Sequence, residues 1–284
     1  MAADEPKDRA YPLKRDILAS TRLNFNHFWM KNLAGYLLHP RIPVDKDRFR
    51  LADLRAGAGH VLVQYTQSHV YHTADNGSLW ASEVATALPK AIVDAVDISS
   101  DQFPPDAFRP SNSNFWAHDC FEPFPTEYLS QFDAVNLRFL LCVVDDDVAD
   151  KLIDNVLTLL SYIQWFEPQP RTARVRGRTQ GVPTPACDKS IEIWKKPATH
   201  SSQDWVHALP ELFENHQLDV IAVDRHQNPD CYMPIARQAA VLGQSEYFGQ
   251  DPEFEAHSKQ LAEEYAAGSM VDVTWICVLG RKAI

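Results

Sequence analysis

The stretch Leu51-Ala52-Asp53-Leu54-Arg55-Ala56-Gly57-Ala58-Gly59 is an apolar run that closes on a carboxylate and then on alternating glycines. Glycine is required where the backbone takes positive φ or lies in contact with a ligand, because a Cβ would block either. A helix that follows such a bend aims its free N–H groups at whatever rests there. The pattern also occurs in ordinary strand-to-helix corners, so the rest of the chain must give it meaning. A second carboxylate, Asp97, lies near the end of the β-branched run Ala91 to Ile98. In a doubly wound sheet, a strand-end acid about 20 residues beyond the glycine turn accepts from ribose hydroxyls. Gly59 and Asp97 lie 38 positions apart, and setting aside the 19 residues 60–78 restores that spacing.

Other candidates carry a second, structural reading. Arg22, His27 and His39 sit among apolar residues of 21–40, either as surface and cap residues or as the lining of an active-site mouth. Asp145-Asp146-Asp147 opens a helical stretch, where carboxylates complement the positive end of the helix dipole. No His or Glu follows them at ligand spacing, so no metal site is expected. Arg171, Arg174, Arg176, Arg178 and Lys189 fall among Pro, Gly and Thr without periodicity and read as a solvated loop.

The elements that would position these groups alternate between strand and helix. Thr21 to Pro40 shows Leu23, Phe28, Leu33 and Leu37 near helical spacing, giving one or two short helices with Thr21 as a cap. Residues 60–78 lack helical periodicity and run into the turn pair Asn76-Gly77. The expected helix comes instead at Leu79 to Leu88 and stops at Pro89. Short strands follow at Asn114 to His118 and Phe132 to Leu137, then a helix to about Leu159 and a strand from Tyr162 to Glu167. Only Leu160 and Ser161 separate these last two, at the short limit of the two to six residues such loops usually take, so the helix is expected to end early. Gln203 to Gln217 reads as an amphipathic helix, Leu218 to Val223 as a strand, Pro234 to Gly268 as helical, and Val271 to Gly280 as a strand. The alternation predicts a mostly parallel Rossmann-like α/β sheet with helices on both faces and an antiparallel edge formed by the late strand pair. Residues 21–284 are expected to form one domain behind a loose arm over 1–20. Within it, 21–40 is a helical cap, 60–78 an atypical insertion and 225–268 a helical lid.

Composition narrows the partners. The chain has 284 residues, 45% of them apolar, with 27 basic against 38 acidic side chains and a net charge of −11. Nucleic-acid binding depends on clustered Lys and Arg, so a small molecule is the expected partner. The five cysteines, Cys120, Cys142, Cys187, Cys231 and Cys277, show no ligand spacing and read as reduced thiols of a cytoplasmic protein. The longest apolar runs, Phe139 to Val144 and Trp275 to Leu279, are far short of the about 20 residues a bilayer requires. Residues 1–16 have no apolar core of a secretory signal. Nothing in the residues fixes an oligomeric state.

Taken together, D-x-x-A-G-A-G from Asp53, Val96-Asp97-Ile98-Ser99 with Gln102-Phe103-Pro104, the pair His118-Asp119, and Phe132-Asp133-Ala134-Val135-Asn136-Leu137-Arg138 resemble class I S-adenosylmethionine-dependent methyltransferases. The likeness is to the fungal branch tied to secondary metabolism, which opens with a segment like Arg22-Leu23-Asn24-Phe25-Asn26-His27 and continues to a pair like His39-Pro40. It covers roughly residues 20 to 167. The resemblance implies that S-adenosylmethionine is the cofactor. It also implies that Asp53, Gly57 and Gly59 line its methionine end, that Asp97 meets the ribose, and that Asp119 meets the adenine amine. The strand carrying Asn136 and Arg138 would face the reacting centre. A hydroxyl acceptor would need a general base, for which His27, His39 and His118 are the unranked candidates. Three departures stand out: Arg55 replaces the first loop glycine, 60–78 intervenes, and the family's glycine turn before the fifth strand is missing near Ser161. They leave a second reading, a methyltransferase-fold protein with a regulatory or non-methylating role. A nicotinamide oxidoreductase is disfavoured because G-x-G-x-x-G is broken by Leu62.

Overall fold

The computed structural model describes residues 17–44, 48–55, 79–100, 103–141, 143–177, 182–196, 202–238, 241 and 251–283. Gly57, Gly59, the segment 60–78 and part of the expected lid lie outside the described residues, as does the side chain of Arg55. The elements in order are α1 (Ile17–Ala34), β1 (Arg50–Arg55), α2 (Leu79–Ala87), β2 (Ile92–Asp97), β3 (Ser113–Ala117), β4 (Phe132–Arg138) and α3 (Asp146–Leu157). They continue with β5 (Leu160–Gly177), α4 (Pro185–Lys195), α5 (Leu209–Asn215), β6 (Leu218–His226), α6 (Pro252–Ala266) and β7 (Ser269–Lys282).

One seven-stranded sheet holds the strand order β3-β2-β1-β4-β5-β7-β6. The first five strands in that order pair in parallel, and β7 runs antiparallel between β5 and β6. The expected fold is therefore present, with its antiparallel edge. The central strands are short and apolar on both faces: Leu51, Ala52, Leu54, Val93, Ala95, Val135 and Leu137 are all buried, as strands covered by helices on each side must be. One core packs β4 and β5 against α3 and α5 through Leu152, Ile153, Trp165 and Phe213. The other packs β1 and β2 against α2 through Trp80, Val84 and Val93.

Three expectations require correction. The cap is a single helix, with Thr21 inside it rather than at its end, and 17–20, expected in the loose arm, begin it. It stops because Gly35 takes φ +80 and its N–H returns to the carbonyl of Lys31 at 2.9 Å, a left-handed C-terminal cap. The arginine-rich stretch is not a solvated loop: β5 runs on to Gly177 and α4 follows from Pro185. Arg174 and Arg176 reach the buried carboxylate of Asp272 on β7 at 3.2 and 3.0 Å. Their charge hid a period-two strand in which Ala173 and Val175 face the other side. The helix expected over 203–217 is a 3-10 turn at Asp204–Val206 followed by α5. Pro210 opens α5 instead of interrupting it, because a first-turn residue needs no N–H donor. The tight junction before β5 is as expected: α3 ends at Leu157 and leaves two residues before Leu160. Among the described residues, no helix is long and apolar enough to cross a membrane.

Candidate functional site

The strand order reverses between β1 and β4, and in open parallel sheets the crevice beyond the carboxyl ends at that point is where ligands rest. Side chains alternate along a strand, so the register puts Asp53, Asn136 and Gln164 in one row across β1, β4 and β5. The Asn136 amide donates to Asp53 Oδ1 at 2.8 Å, and Gln164 Nε2 donates to Asn136 Oδ1 at 2.9 Å. Gln164 continues the row upward, donating to the Leu37 carbonyl at 3.1 Å and accepting from the His39 N–H at 2.6 Å. All three members of the row are buried. Buried polar groups hold only when bonded to one another, and this chain of bonds fastens the segment after α1 to the sheet.

One turn further along the same face lie Arg138, Phe166, Cys277 and Asp224, paired in register across β4, β5, β7 and β6. Together with α1 they enclose a cleft lined by His27, Met30, Lys31, Tyr36, Trp80 and Phe166, among others. On α1, positions 27, 30, 31 and 34 all line this cleft, the helical spacing that puts them on one face. The indole of Trp80 donates to the Leu37 carbonyl at 3.0 Å and joins α2 to the same wall.

His27 bridges the cap and the sheet. Its Nδ1 lies 2.9 Å from Arg138 Nη1 and its Nε2 lies 2.9 Å from Glu83 Oε2. A guanidinium can only donate, so Nδ1 accepts and the ring proton is on Nε2, given to Glu83. Lys31 also donates to both oxygens of Glu83, at 3.0 and 2.9 Å. Partial burial pushes the Glu83 carboxyl up, but hydrogen bonds from Lys31 and His27 outweigh it and hold the group below the ordinary carboxylate range. Arg138 Nη2 is 4.0 Å from Asp53 Oδ2. The two cations that line the cleft, Lys31 and Arg138, are therefore each paired with a carboxylate that does not line it, Glu83 and Asp53.

His39 stands just behind this wall. Its Nδ1 accepts from the Arg41 N–H at 3.1 Å, so Nε2 is the donor to Asp224 Oδ2 at 3.2 Å. His118 lies past the end of β3, its N–H donating to the Asp97 carbonyl at 2.8 Å and its Nε2 donating to the Glu122 carbonyl at 3.2 Å. Of the three histidines, His27 lines the cleft, and the other two are absent from its lining. Asp97 ends β2, where its Oδ1 accepts from the Ser99 N–H at 3.1 Å. Asp119 Oδ1 accepts from the Phe121 N–H at 3.0 Å. Each bond spans two residues, the local turn that fixes such side chains. Asp97 ends β2, Asp119 stands two residues beyond the end of β3, and Asp53 lies two residues before the end of the neighbouring β1. As acceptors, they suit a ligand rich in hydroxyl and amine donors.

Several residues of the cleft gave no signal in the sequence. Gln164, Phe166, Cys277 and Asp224 meet only through cross-strand register, and Tyr36 follows a helix end set by Gly35. Tyr36 donates to Asp224 Oδ2 at 2.8 Å. Burial above all, with Cys277 and Asp224 beside it, raises its pKa. Burial likewise pushes the Cys277 thiol up to about 12.

Comparison with known proteins bears on the whole arrangement. No family model matches the chain. It is 24% identical over 152 residues to the N-methyltransferase gliN of Aspergillus fumigatus, covering 54% of this chain and 46% of that one. It is 27% identical over 148 residues to the N-methyltransferase tcpN of Claviceps purpurea, covering 51% and 46%. The chain spans about half the length of the curated relatives it matches. Among solved structures, that of the [4+2]-cyclase SpnF is similar with a TM-score of 0.50 and 14% identity, covering 97% of this chain and 99% of that one. At that identity the likeness is one of fold alone.

Proposed function

We propose that this chain, a member of the class I methyltransferases related to their fungal N-methylating branch, transfers a methyl group from S-adenosylmethionine to a nitrogen of a small natural-product intermediate. The observation that carries the reading is the set of acceptors Asp53, Asp97 and Asp119, two residues before the end of β1, at the end of β2 and two residues past the end of β3, beside the point where the strand order reverses. The nucleoside sulfonium presents ribose hydroxyls, an adenine amine and a methionine ammonium, all donors, so the residues present fit it. Asp97 would accept from the ribose and Asp119 from the adenine amine. Asp53, steadied by Asn136, would lie at the methionine end, the role expected also of Gly57 and Gly59.

When bound, S-adenosylmethionine supplies an electrophilic methyl group whose former bonding electrons stay on sulfur. Because that leaving group is already activated, orientation supplies most of the acceleration. Arg138 and His27 do this work from opposite walls, each fixing the other, while Met30, Trp80 and Phe166 keep water out. Nitrogen as the acceptor atom is supported by the names of the relatives. Residues 17–284 act in this reading as one catalytic domain in the cytoplasm, with 17–40 as its cap and 225–268 as its lid.

Calorimetric titration with S-adenosylmethionine tests the reading. The wild-type chain is expected to bind it saturably, and Asp97→Ala is expected to weaken binding about tenfold or more, the loss of a charge-assisted hydrogen bond. No heat at millimolar cofactor would remove the enzyme and favour a regulatory protein on the same fold.

A further inference from the structure

Tyr36 is the point where the cleft meets a route to solvent. It follows the end of α1 and lines the cleft, and its hydroxyl proton is committed to Asp224 Oδ2 at 2.8 Å. That same oxygen receives His39 Nε2 at 3.2 Å, and the Asp224 side chain is 38% exposed. A hydroxyl has one proton and two lone pairs. With the proton given to Asp224, Tyr36 Oη can only accept from the cleft side. The thiol of Cys277 also borders Oη and is held protonated by burial.

The remaining groups around this point agree. His226 packs edge-on against Tyr36 and Phe166, and burial lowers its pKa, so it adds no cation. The two cations that line the cleft, Lys31 and Arg138, are already paired, with Glu83 and Asp53. Its other walls are the apolar or aromatic Met30, Trp80 and Phe166, with the amides of Asn136 and Gln164 already bonded to each other. A flat, uncharged ring fits such a space, and at Tyr36 Oη the demand is for a hydrogen-bond donor.

We infer that Tyr36 recognises the N–H of the methyl acceptor, carried on a flat apolar ring, and that Asp224 with His39 behind it forms the exit for that proton. The inference deepens the methyltransferase reading and rests on it. The N–H bond breaks with its electron pair staying on nitrogen, where it forms the new bond to carbon. Its proton passes to Tyr36 Oη as the tyrosine's own proton passes to Asp224 Oδ2, and from there to water. Tyr36 ends as it began, and charge is conserved because the sulfonium becomes a neutral sulfide. Tyr36 is the contact residue, and Asp224 and His39 position it.

Indole and N-methylindole are matched probes, since they differ at the one atom in question. By calorimetry the wild-type chain is expected to bind indole at least tenfold more tightly, the worth of one buried hydrogen bond. Tyr36→Phe should bring the two affinities within about twofold. Asp224→Val, at a half-exposed strand position, should shrink the preference too, because the freed tyrosine proton then points into the cleft. Equal wild-type affinities, no heat with indole at millimolar concentration, or an undiminished preference in a Tyr36→Phe protein that melts like wild type each overturn the proposal. If Tyr36→Phe fails to fold, Asp224→Val decides. Titrating the same wild-type sample with S-adenosylmethionine separates this outcome from failure of the enzyme reading, because the probe comparison needs no cofactor.

Discussion

Arg138 on β4 and His27 on α1 lie 2.9 Å apart, guanidinium nitrogen to imidazole Nδ1, so the histidine is neutral and carries its proton on Nε2. Both ring nitrogens are thus engaged, one by Arg138 and one by Glu83. In this arrangement His27 is a strut that aims Arg138 rather than a base with a lone pair turned to the substrate.

His27→Ala removes the strut while leaving Arg138 and Glu83 in place. Under the proposed function, methyl transfer is expected to fall about 10²-fold through misorientation. The melting temperature should change less than for a core truncation, since His27 meets the polar wall of the cleft. His27→Gln, whose amide can accept from one side and donate to the other, should recover part of the rate.

Glu167 is fully buried beneath the loop after β4. It accepts from the N–H groups of Leu140 and Leu141 at 2.6 and 3.2 Å and from the Trp165 indole at 3.0 Å. Glu167→Ala leaves those donors unmet and should destabilise the protein by about 3 kcal/mol in chemical denaturation. Burial pushes its carboxyl up to about 8 despite the three bonds. Between pH 4.5 and 8 the folded state therefore binds more protons than the unfolded chain at this site, and its contribution to stability falls as pH rises. Glu167→Gln, which cannot ionise, should flatten that slope in melts taken across the same range.

Gly280 lies in β7 where a Cβ would meet the Phe213 ring at 2.6 Å and Ile163 Cγ2 at 3.2 Å. The position demands absence of bulk rather than backbone freedom. Gly280→Ala should cost about 1 to 3 kcal/mol through overpacking, and the double variant with Phe213→Leu should recover part of it, measured by denaturant midpoint.

Asp272 is buried and receives Arg174, Arg176, the Asn228 amide at 2.9 Å and the Val273 N–H at 2.9 Å. Asn228 in turn accepts from the Trp29 indole at 2.8 Å, so this carboxylate ties the far end of β5 and β7 to α1. Asp272→Ala strands these donors and should destabilise by about 3 kcal/mol or more. Tryptophan fluorescence should report the loosening, because Trp29 and Trp275 stack edge to face at 4.9 Å.

The parallel half of the sheet was legible because strands buried on both faces read as mostly apolar runs: Leu51 to Leu54, Ile92 to Val96 and Phe132 to Leu137, interrupted only by Asp53, Asp94, Asp133 and Asn136, each lie in a strand of the sheet. Asp97 could be singled out for a similar reason, since an acid at the end of such a run has few structural explanations. The row from Asp53 through Asn136 to Gln164 was not legible as a row. Its members are 83 and 28 positions apart, and only the register of three strands makes them neighbours. The extension of β5 was missed because Arg174 and Arg176 look like solvent-seeking residues until Asp272 is known to face them. Asp224 carried no periodic signal, and its partner Tyr36 depends on where Gly35 ends the helix before it.

Between β5 and β6 sits β7, a strand made after both. Until it emerges from the ribosome, β5 has an open rim, β6 has nothing to pair with, and the cleft lacks the wall that carries residue 277. Nascent chains stalled before residue 269 should therefore hold a docked half-sheet without a binding chamber. The chamber would be completed only when the late ribbon slides into its slot, which makes synthesis itself the step that arms the site.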